Sequence, residues 1–271
     1  MKNHEITTSI KTSQANNSKF SFKVFWALLL ASILASLSTI PYASALLYQK
    51  TSSPPMSEML IGGLLNFVVL TVPLTSLGLW LGSKVGLGTP ELETILTKVP
   101  PNYRRFRSSI LSAIILGVVG GIFIHAISIL YQPYLPSELM KTKSPGFLKA
   151  LLSSFGAAVN EEIWLRLGIM TCLVFLGSKL MGQPRPSRAI IWSANLLAAI
   201  GFGMLHLPLL ANLVEELSPS IVIFVLLLNG FIGVIYGWLY WRRGLLAAMI
   251  AHFSTDLIIH VVPALFSTGS R

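Results

Sequence analysis

The sequence predicts an all-α, multi-pass transmembrane helical bundle, and three observations lead to this fold class. Of the 271 residues, 53% are hydrophobic and only 11% are charged, whereas a soluble domain carries about 25% charged residues. The mean hydropathy is +0.71. Most of the chain consists of long apolar stretches separated by short polar segments. Together these properties exclude a soluble enzyme, a disordered chain and a fibrous repeat.

Seven stretches have the length of about 20 apolar residues that crosses a bilayer as a helix. They lie at roughly 24–48, 58–83, 109–131, 148–179, 188–206, 220–241 and 244–266. The fourth is longer than one crossing needs, and a break at 155–160 with a re-entrant segment would raise the count to eight. We predict a polar, disordered cytoplasmic tail at 1–23, N-terminal spans at 24–147 and a second membrane domain at 148–266.

The distribution of basic residues predicts the orientation of these spans. If the N-terminus lies inside, 14 of the 20 Lys and Arg residues fall on the cytoplasmic side, five fall on the opposite side and Arg166 falls within a span. Cytoplasmic loops carry an excess of Lys and Arg, so we predict a cytoplasmic N-terminus and an external C-terminus in the plasma membrane. The net charge of +10 therefore reflects topology, and membrane lipids rather than nucleic acid are the expected surroundings.

Ionisable residues inside the predicted spans indicate a functional site. A charged group at the bilayer centre costs about 3 kcal/mol on insertion scales, so such groups are expected around a shared polar interior. Eight of them occur in this chain: Glu161, Glu162, Arg166 and Asp256, with His125, His206, His252 and His260.

The first cluster is the segment from Asn160 to Arg166. Glu162 and Arg166 are four residues apart, so on a helix they share one face and can neutralise each other. Glu161 is rotated about 100° away from Glu162. We therefore expect one glutamate to be paired with the arginine and the other to be available to water.

Two further clusters lie on later spans. Phe202 and His206 are four residues apart in the fifth span, as are His252 and Asp256, the only aspartate, in the seventh. Acids and histidines from three helices can activate water beside a carbonyl. They can also supply two histidines and a carboxylate to zinc. His252 is ~12 Å and His206 ~27 Å from the cytoplasmic end of its span at 1.5 Å per residue, so their convergence requires tilted or interrupted helices.

The three motifs together resemble those of the CAAX-protease and bacteriocin-processing family of intramembrane endopeptidases. They are Glu-Glu-x-x-x-Arg at 161–166, Phe-x-x-x-His at 202–206 and His-x-x-x-Asp at 252–256, and they occur in that order. The resemblance covers about 148–266 and reaches none of the first three spans.

The resemblance implies a role for each matched residue. Glu161 activates the hydrolytic water with the help of His206, and His252 and Asp256 line the oxyanion site. In the metal alternative Glu161, His206, His252 and Asp256 are the candidate zinc ligands. Glu162, Arg166 and Phe202 hold the site in shape. Relatives that process CAAX peptides commonly have Asn where this chain has Asp256, and because a carboxylate accepts hydrogen bonds, Asp256 is expected to orient His252.

The implied function is peptide-bond hydrolysis on a peptide or protein substrate, which in some relatives carries a prenyl group. Other intramembrane protease classes are disfavoured because the chain has no Gly-x-Ser-x-Gly, no His-Glu-x-x-His and a single aspartate. Two alternatives remain open. The intramembrane acids could relay protons in a proton-coupled transporter, or the chain could be a non-catalytic immunity factor or scaffold.

Overall fold

The computed structural model describes residues 21–48, 55–97, 102–141 and 143–266, and this part of the chain is helical and contains no strand. Residues 1–20 of the predicted tail lie outside the described residues, and the first helix begins at Phe22. Seven helical stretches are long and apolar enough to cross a membrane, as predicted. In chain order, spans 1 to 7 are Phe22–Leu47, Met56–Val85, Tyr103–Tyr134, Phe147–Leu180, Arg188–Ala211, Pro219–Arg243 and Leu245–Phe266. The predicted all-α, multi-pass architecture is thus confirmed.

Five of the spans are divided into two or more successive helical segments. Their α-helical parts are Met56–Asn66, Val72–Val85, Tyr103–Tyr131, Phe147–Glu162, Thr171–Leu180, Arg188–Leu205, Leu207–Ala211, Leu245–Asp256 and Val262–Phe266. Three segments are π-helical: Phe67–Thr71 in span 2, Ile163–Met170 in span 4 and Leu257–Val261 in span 7. Span 3 ends in the 3-10 turn Gln132–Tyr134. Two short helices connect spans on either side of span 3, Pro90–Thr97 and Ser137–Lys141.

The predicted break in span 4 is wrong in its position. Residues 155–160 lie inside the regular α-helix Phe147–Glu162, and the change to π-helical bonding begins only at Ile163. The backbone therefore stays helical through the whole span, which satisfies its polar groups internally, as a hydrocarbon environment requires. The extra length of span 4 does not produce an eighth crossing.

Polar caps mark where several spans begin. Ser21, Asn102, Ser187 and Ser218 each accept a hydrogen bond from the backbone N–H three residues later. Such caps satisfy one of the donors that a helix N-terminus leaves free.

Spans 4 and 7 form the centre of the bundle. Half of the most apolar stretch of span 4 and 56% of that of span 7 are buried, against 11–33% in the other spans. Span 1 packs on the first half of span 4, and span 2 packs on its second half. Span 7 packs against spans 3 and 6, and spans 5 and 6 form a further close pair. Two of the three motif-bearing spans are therefore the most enclosed.

Two Gly-x-x-x-Gly motifs, at 117–121 and 233–237, make close helix contacts, as their sequence indicates. A Cβ atom at Gly117 would clash with the carbonyl oxygen of Ala251, which places spans 3 and 7 in backbone contact. A Cβ atom at Gly237 would clash with the Asn195 side chain between spans 6 and 5. Both motifs set the distances between helices that surround the site.

Candidate active site

Glu162 and Arg166 form a fully buried ion pair, as their spacing predicts. Arg166 Nε lies 3.3 Å from Glu162 Oε2, and both side chains have 0% exposure. Arg166 Nη2 also donates to the carbonyl oxygen of Gly233 at 2.8 Å, and the guanidinium lies 4.8 Å from the centre of the Phe202 ring. The arginine thereby ties span 4 to spans 5 and 6 as well as neutralising Glu162.

His252 is held between two carboxylates. Its Nδ1 lies 2.9 Å from Glu162 Oε1, and since a carboxylate accepts hydrogen bonds, Nδ1 carries the hydrogen. Its Nε2 lies 3.7 Å from Asp256 Oδ1. Glu162 therefore contacts both Arg166 and His252, and the first and third sequence motifs meet at this glutamate.

His206 has a defined tautomer. Its Nδ1 lies 2.9 Å from the carbonyl oxygen of Phe202, and because a carbonyl only accepts, Nδ1 is the protonated nitrogen. Nε2 is then the unprotonated nitrogen, which can accept a proton. The side chain is half-buried.

Phe202 brings the second motif to the third. Its ring lies edge-on to the His206 ring, at 5.1 Å between centroids, and edge-on to the His252 ring at 5.4 Å. His206 and His252 therefore lie against the same ring, although they are at different distances from the starts of their spans. Phe202 is 2% exposed, which agrees with the supporting role expected from the sequence.

One buried oxygen of Glu161 has no hydrogen-bond partner within the described ranges. Its Oε2 is buried and without a partner in the described part of the chain, although the residue as a whole is only half-buried. Glu161 is also close enough to interact electrostatically with His252 and Asp256. Within the Glu161–Glu162 pair, Glu162 is therefore engaged by Arg166 and His252, whereas the Oε2 atom of Glu161 has no partner among the described residues.

The two remaining histidines are less closely involved. His260 lies one turn beyond Asp256 in a π-helical segment, is exposed, and meets the ring of Tyr42 edge-on at 6.5 Å. His125 is half-buried on span 3. Neither makes a described hydrogen bond to the residues of the three motifs.

The candidate zinc ligands do not have an arrangement that fits zinc. Among the residues that the structure describes, no three His, Cys, Asp or Glu side chains are grouped so that they could hold a metal ion. Both nitrogens of His252 face carboxylates, and Glu162 is shared with Arg166. A catalytic zinc needs three converging protein donors with lone pairs free for the metal, and among the four candidates His252 is already engaged by two carboxylates.

Sequence reasoning missed Tyr236. Its ring lies nearly parallel to the His252 imidazole, with 4.8 Å between centroids and 16° between planes, and the residue is 1% exposed. The signal was its position inside the Gly233–Gly237 motif, since a large residue between two close-packing glycines lies at the same helix interface.

Sequence reasoning also missed a polar cluster behind span 4. Asn160 and Trp164, which flank Glu161 and Glu162, make hydrogen bonds to hydroxyl groups of spans 1 and 2. The partners lie on spans that no motif reaches, so only the fold reveals them.

A polar site enclosed by membrane-length apolar helices defines an integral membrane protein with an intramembrane site. A comparison with protein families specifies the class further: residues 143–258 match the family model described as type II CAAX prenyl endopeptidase Rce1-like. The matched segment contains all three motifs, and it confirms the resemblance to the CAAX-protease and bacteriocin-processing family. Residues 143–258 therefore resemble an Rce1-like domain, and this resemblance supports a CAAX-protease-like endopeptidase in general. No curated protein and no solved structure matches the chain.

Proposed function

We propose that the protein is an intramembrane endopeptidase in which Glu161, with His206, activates water for attack on a peptide bond. The observation that supports this role is the unpaired, buried Oε2 of Glu161 beside Glu162, whose carboxylate is engaged by Arg166 and His252. A base needs a free lone pair next to the reacting water. Glu161 has one.

In the proposed reaction the water oxygen attacks the peptide carbonyl carbon while its proton passes to Glu161 or to Nε2 of His206. A tetrahedral intermediate forms, and its oxyanion lies on the side of His252 and Asp256. The intermediate collapses as the carbon–nitrogen bond breaks, and the proton that was taken from water passes to the leaving amine. No acyl-enzyme forms, because the nucleophile is water.

His252 is proposed to line the oxyanion side. Glu162 accepts the Nδ1 hydrogen, so Nε2 is the nitrogen that faces Asp256 and the substrate, and it donates to the oxyanion only when the ring carries a second proton. Asp256 Oδ1 lies 3.7 Å from that nitrogen, which is beyond a direct hydrogen bond. We propose that the negative charge of Asp256 orients the ring by attracting its protonated form.

The proposed substrate is the C-terminal CAAX segment of a prenylated protein. This proposal rests on the description of the matching family, and membrane spans around the site would let a prenyl chain stay in the bilayer during cleavage. The membrane environment also gives the site its low dielectric, in which hydrogen bonds to a developing charge are strong.

The experiment is a cleavage assay with purified full-length protein and a farnesylated CAAX peptide, with the unprenylated peptide in parallel. Glu161→Gln and His206→Ala are expected to lower kcat by about 10²–10⁴-fold, the usual contribution of a general base. Glu215→Gln is the matched control, since Glu215 is an exposed glutamate outside the motifs. Full cleavage by Glu161→Gln would contradict the proposed mechanism, and equal cleavage of both peptides would contradict prenyl selectivity.

The same assay tests the metal alternative. Because no three candidate donors are grouped for a metal ion among the described residues and His252 is engaged by two carboxylates, we expect cleavage to persist with a chelator and the purified protein to contain far less than one zinc per chain. Loss of cleavage with the chelator, restored by zinc, would show instead that the site rearranges to bind metal.

A further inference from the structure

A buried polar cluster joins spans 1, 2 and 4 on the far side of Glu161. The Asn160 side chain accepts a hydrogen bond from Ser32 Oγ, and its Nδ2 donates to Ser36 Oγ at 3.1 Å. Trp164 Nε1 donates to Thr71 Oγ1 at 2.9 Å. Ser32 Oγ and Thr71 Oγ1 are themselves 3.4 Å apart, so the contacts form one connected network.

The network is enclosed in the bundle. Ser32, Thr71 and Asn160 are 0%, 1% and 5% exposed. If a polar group at this depth loses its hydrogen-bond partner, the free-energy cost of its desolvation is left uncompensated. Each bond therefore opposes any rotation or sliding of span 4 against spans 1 and 2.

Two anchors on span 4 bracket the acids of the first motif. Asn160 immediately precedes Glu161, and Trp164 lies one turn further on, so both point to the same side of the helix. Between them, at Ile163, the backbone changes from α-helical to π-helical bonding. π-helical segments are frequent at functional sites. This one begins directly after Glu161 and Glu162, where the helix sets the direction of their side chains.

The anchors determine where Glu161 points. Successive side chains leave a helix about 100° apart, so an Asn160 side chain bonded to span 1 directs Glu161 away from span 1, and Glu161 interacts electrostatically with His252 and Asp256 of span 7. The hydrogen bonds from His252 to Glu162 and from Arg166 to the Gly233 carbonyl constrain span 4 on the side of spans 7 and 6. The buried Oε2 of Glu161 accepts no hydrogen bond within the described residues, so its position depends on the helix that carries it.

We propose that Asn160 is a positioning residue for Glu161, which it holds in the reactive direction through Ser32 and Ser36 of span 1. The inference rests on the proposed function of Glu161 and extends it to spans 1 and 2, which lie outside the matched family segment. It also assigns the N-terminal spans a part in catalysis, although they carry none of the motif residues.

The test compares Asn160→Ala with Ser154→Ala in the cleavage assay. Ser154 is the matched control, because it is a buried polar residue of the same helix that bonds the Ala150 carbonyl of its own helix. We expect Asn160→Ala to lower kcat by about 10–100-fold, since a misplacement of 1 Å can cost about 10²-fold, with KM changed less than about threefold. The acidic limb of its pH–rate profile is expected to shift, because the surroundings of Glu161 change. Ser154→Ala is expected to change neither.

A second variant keeps the test decisive if Asn160→Ala does not fold. Ser32→Ala with Ser36→Ala removes both partners of Asn160 from span 1 and leaves span 4 intact, and it is expected to give the same loss of kcat and the same shift of the pH profile. Wild-type kcat in either variant, with Glu161→Gln inactive, would overturn the positioning role alone. Full activity of Glu161→Gln would overturn the proposed function, and with it the role of Asn160.

Discussion

At the scale of single residues, Tyr236 is a neighbour of His252 that lies outside the three site motifs. The two rings are stacked at 4.8 Å, and the Arg166 guanidinium lies 5.5 Å from the centre of the tyrosine ring. Tyr236 therefore lies beside both side chains and restricts the plane of the imidazole.

We expect Tyr236→Leu to lower kcat by about 2–10-fold, which corresponds to the ~0.5–1.5 kcal/mol of an aromatic pair. Tyr236→Phe keeps the stacked ring and is expected to retain most of the activity. The measurement is kcat for both variants with thermal unfolding in detergent as the control for folding. If Phe and Leu lowered kcat equally, the hydroxyl rather than the ring would be the important group.

The residues of the first motif were predictable because their pairing is local. Four-residue spacing on a helix brings Glu162 to Arg166, and it leaves Glu161 on another side; both features are present in the structure. Tyr236 and the partners of Asn160 were not predictable in this way, because they come from other spans and no residue spacing relates them to the motifs.

At the scale of helices, hydropathy predicted the existence of the spans but not their internal geometry. All seven appear close to their predicted bounds, since only a helix of about 20 residues satisfies its backbone across a bilayer. The π-helical segments after Glu162 and Asp256 were not predicted. Their hydrogen-bond pattern depends on packing with neighbouring helices.

The glycine contact between spans 3 and 7 gives a prediction at this scale. Gly117→Ala is expected to destabilise the protein by about 1–3 kcal/mol, the usual cost of overpacking, because the added methyl group meets the backbone carbonyl of Ala251 and the Ser254 side chain. Gly63→Ala is the matched control: nothing lies within 4 Å of its added Cβ, and alanine favours a helix by up to about 1 kcal/mol. Thermal unfolding of both variants in detergent checks this, and equal stability of the two would contradict the close contact.

The short helix Pro90–Thr97 carries a titratable group outside the spans. Glu91 is 9% exposed, its Oε1 lies 3.4 Å from Ser109 Oγ, and a Cβ atom at Gly244 would lie 2.5 Å from its Oε2. Burial raises the pKa of Glu91 above its usual 4.5, although the positive charges of Arg105 and Arg243 act in the opposite direction. The helix is thus bonded to span 3 through Ser109 and packed against the backbone at Gly244, before span 7, by an acid whose neutral form burial favours.

The stability contributed by Glu91 is expected to depend on pH. A carboxyl group with a raised pKa in the folded state binds its proton more tightly there, so its contribution is complete below pH 4.5 and is lost as the pH rises through the elevated pKa. Glu91→Gln imitates the protonated form and should gain stability relative to wild type as the pH rises. Unfolding temperatures from pH 4 to 8 measure this, with Glu58→Gln as the exposed control; parallel curves for wild type and Glu91→Gln would contradict it.

At the scale of the whole molecule, orientation in the membrane stays a prediction from the distribution of charge. The excess of Lys and Arg in one set of connecting segments predicts a cytoplasmic N-terminus and an external C-terminus. Single-cysteine variants test it: Ser9→Cys and Ser270→Cys, each in a Cys172→Ser background that removes the only natural thiol. A membrane-impermeant thiol reagent added to intact cells should label position 270 and not position 9. Labelling at position 9 would contradict the predicted topology.

The division of the membrane region into N-terminal spans at 24–147 and a second domain at 148–266 also stays a proposal. Contacts across this division indicate how the two parts are related. The matched segment 143–258 contains every residue of the three motifs, yet its first helix packs most extensively against span 1. We propose that the N-terminal spans act as a scaffold for the C-terminal domain rather than as an independent unit, because the bonds to Asn160 and Trp164 cross that division.

The sequence by itself determined the number of spans, the pairing of Glu162 with Arg166 and the set of motif residues. These features follow from hydropathy and from helical periodicity, which act over a few residues along the chain. Only the tertiary structure decided that Phe202 joins the second motif to the third, that Tyr236 stacks on His252, that Glu162 contacts both Arg166 and His252, and that spans 1 and 2 bond Asn160 and Trp164. In lipid, helices gain little from apolar burial against each other, so their arrangement depends on close packing and interhelical hydrogen bonds, and these partners are distant in the chain.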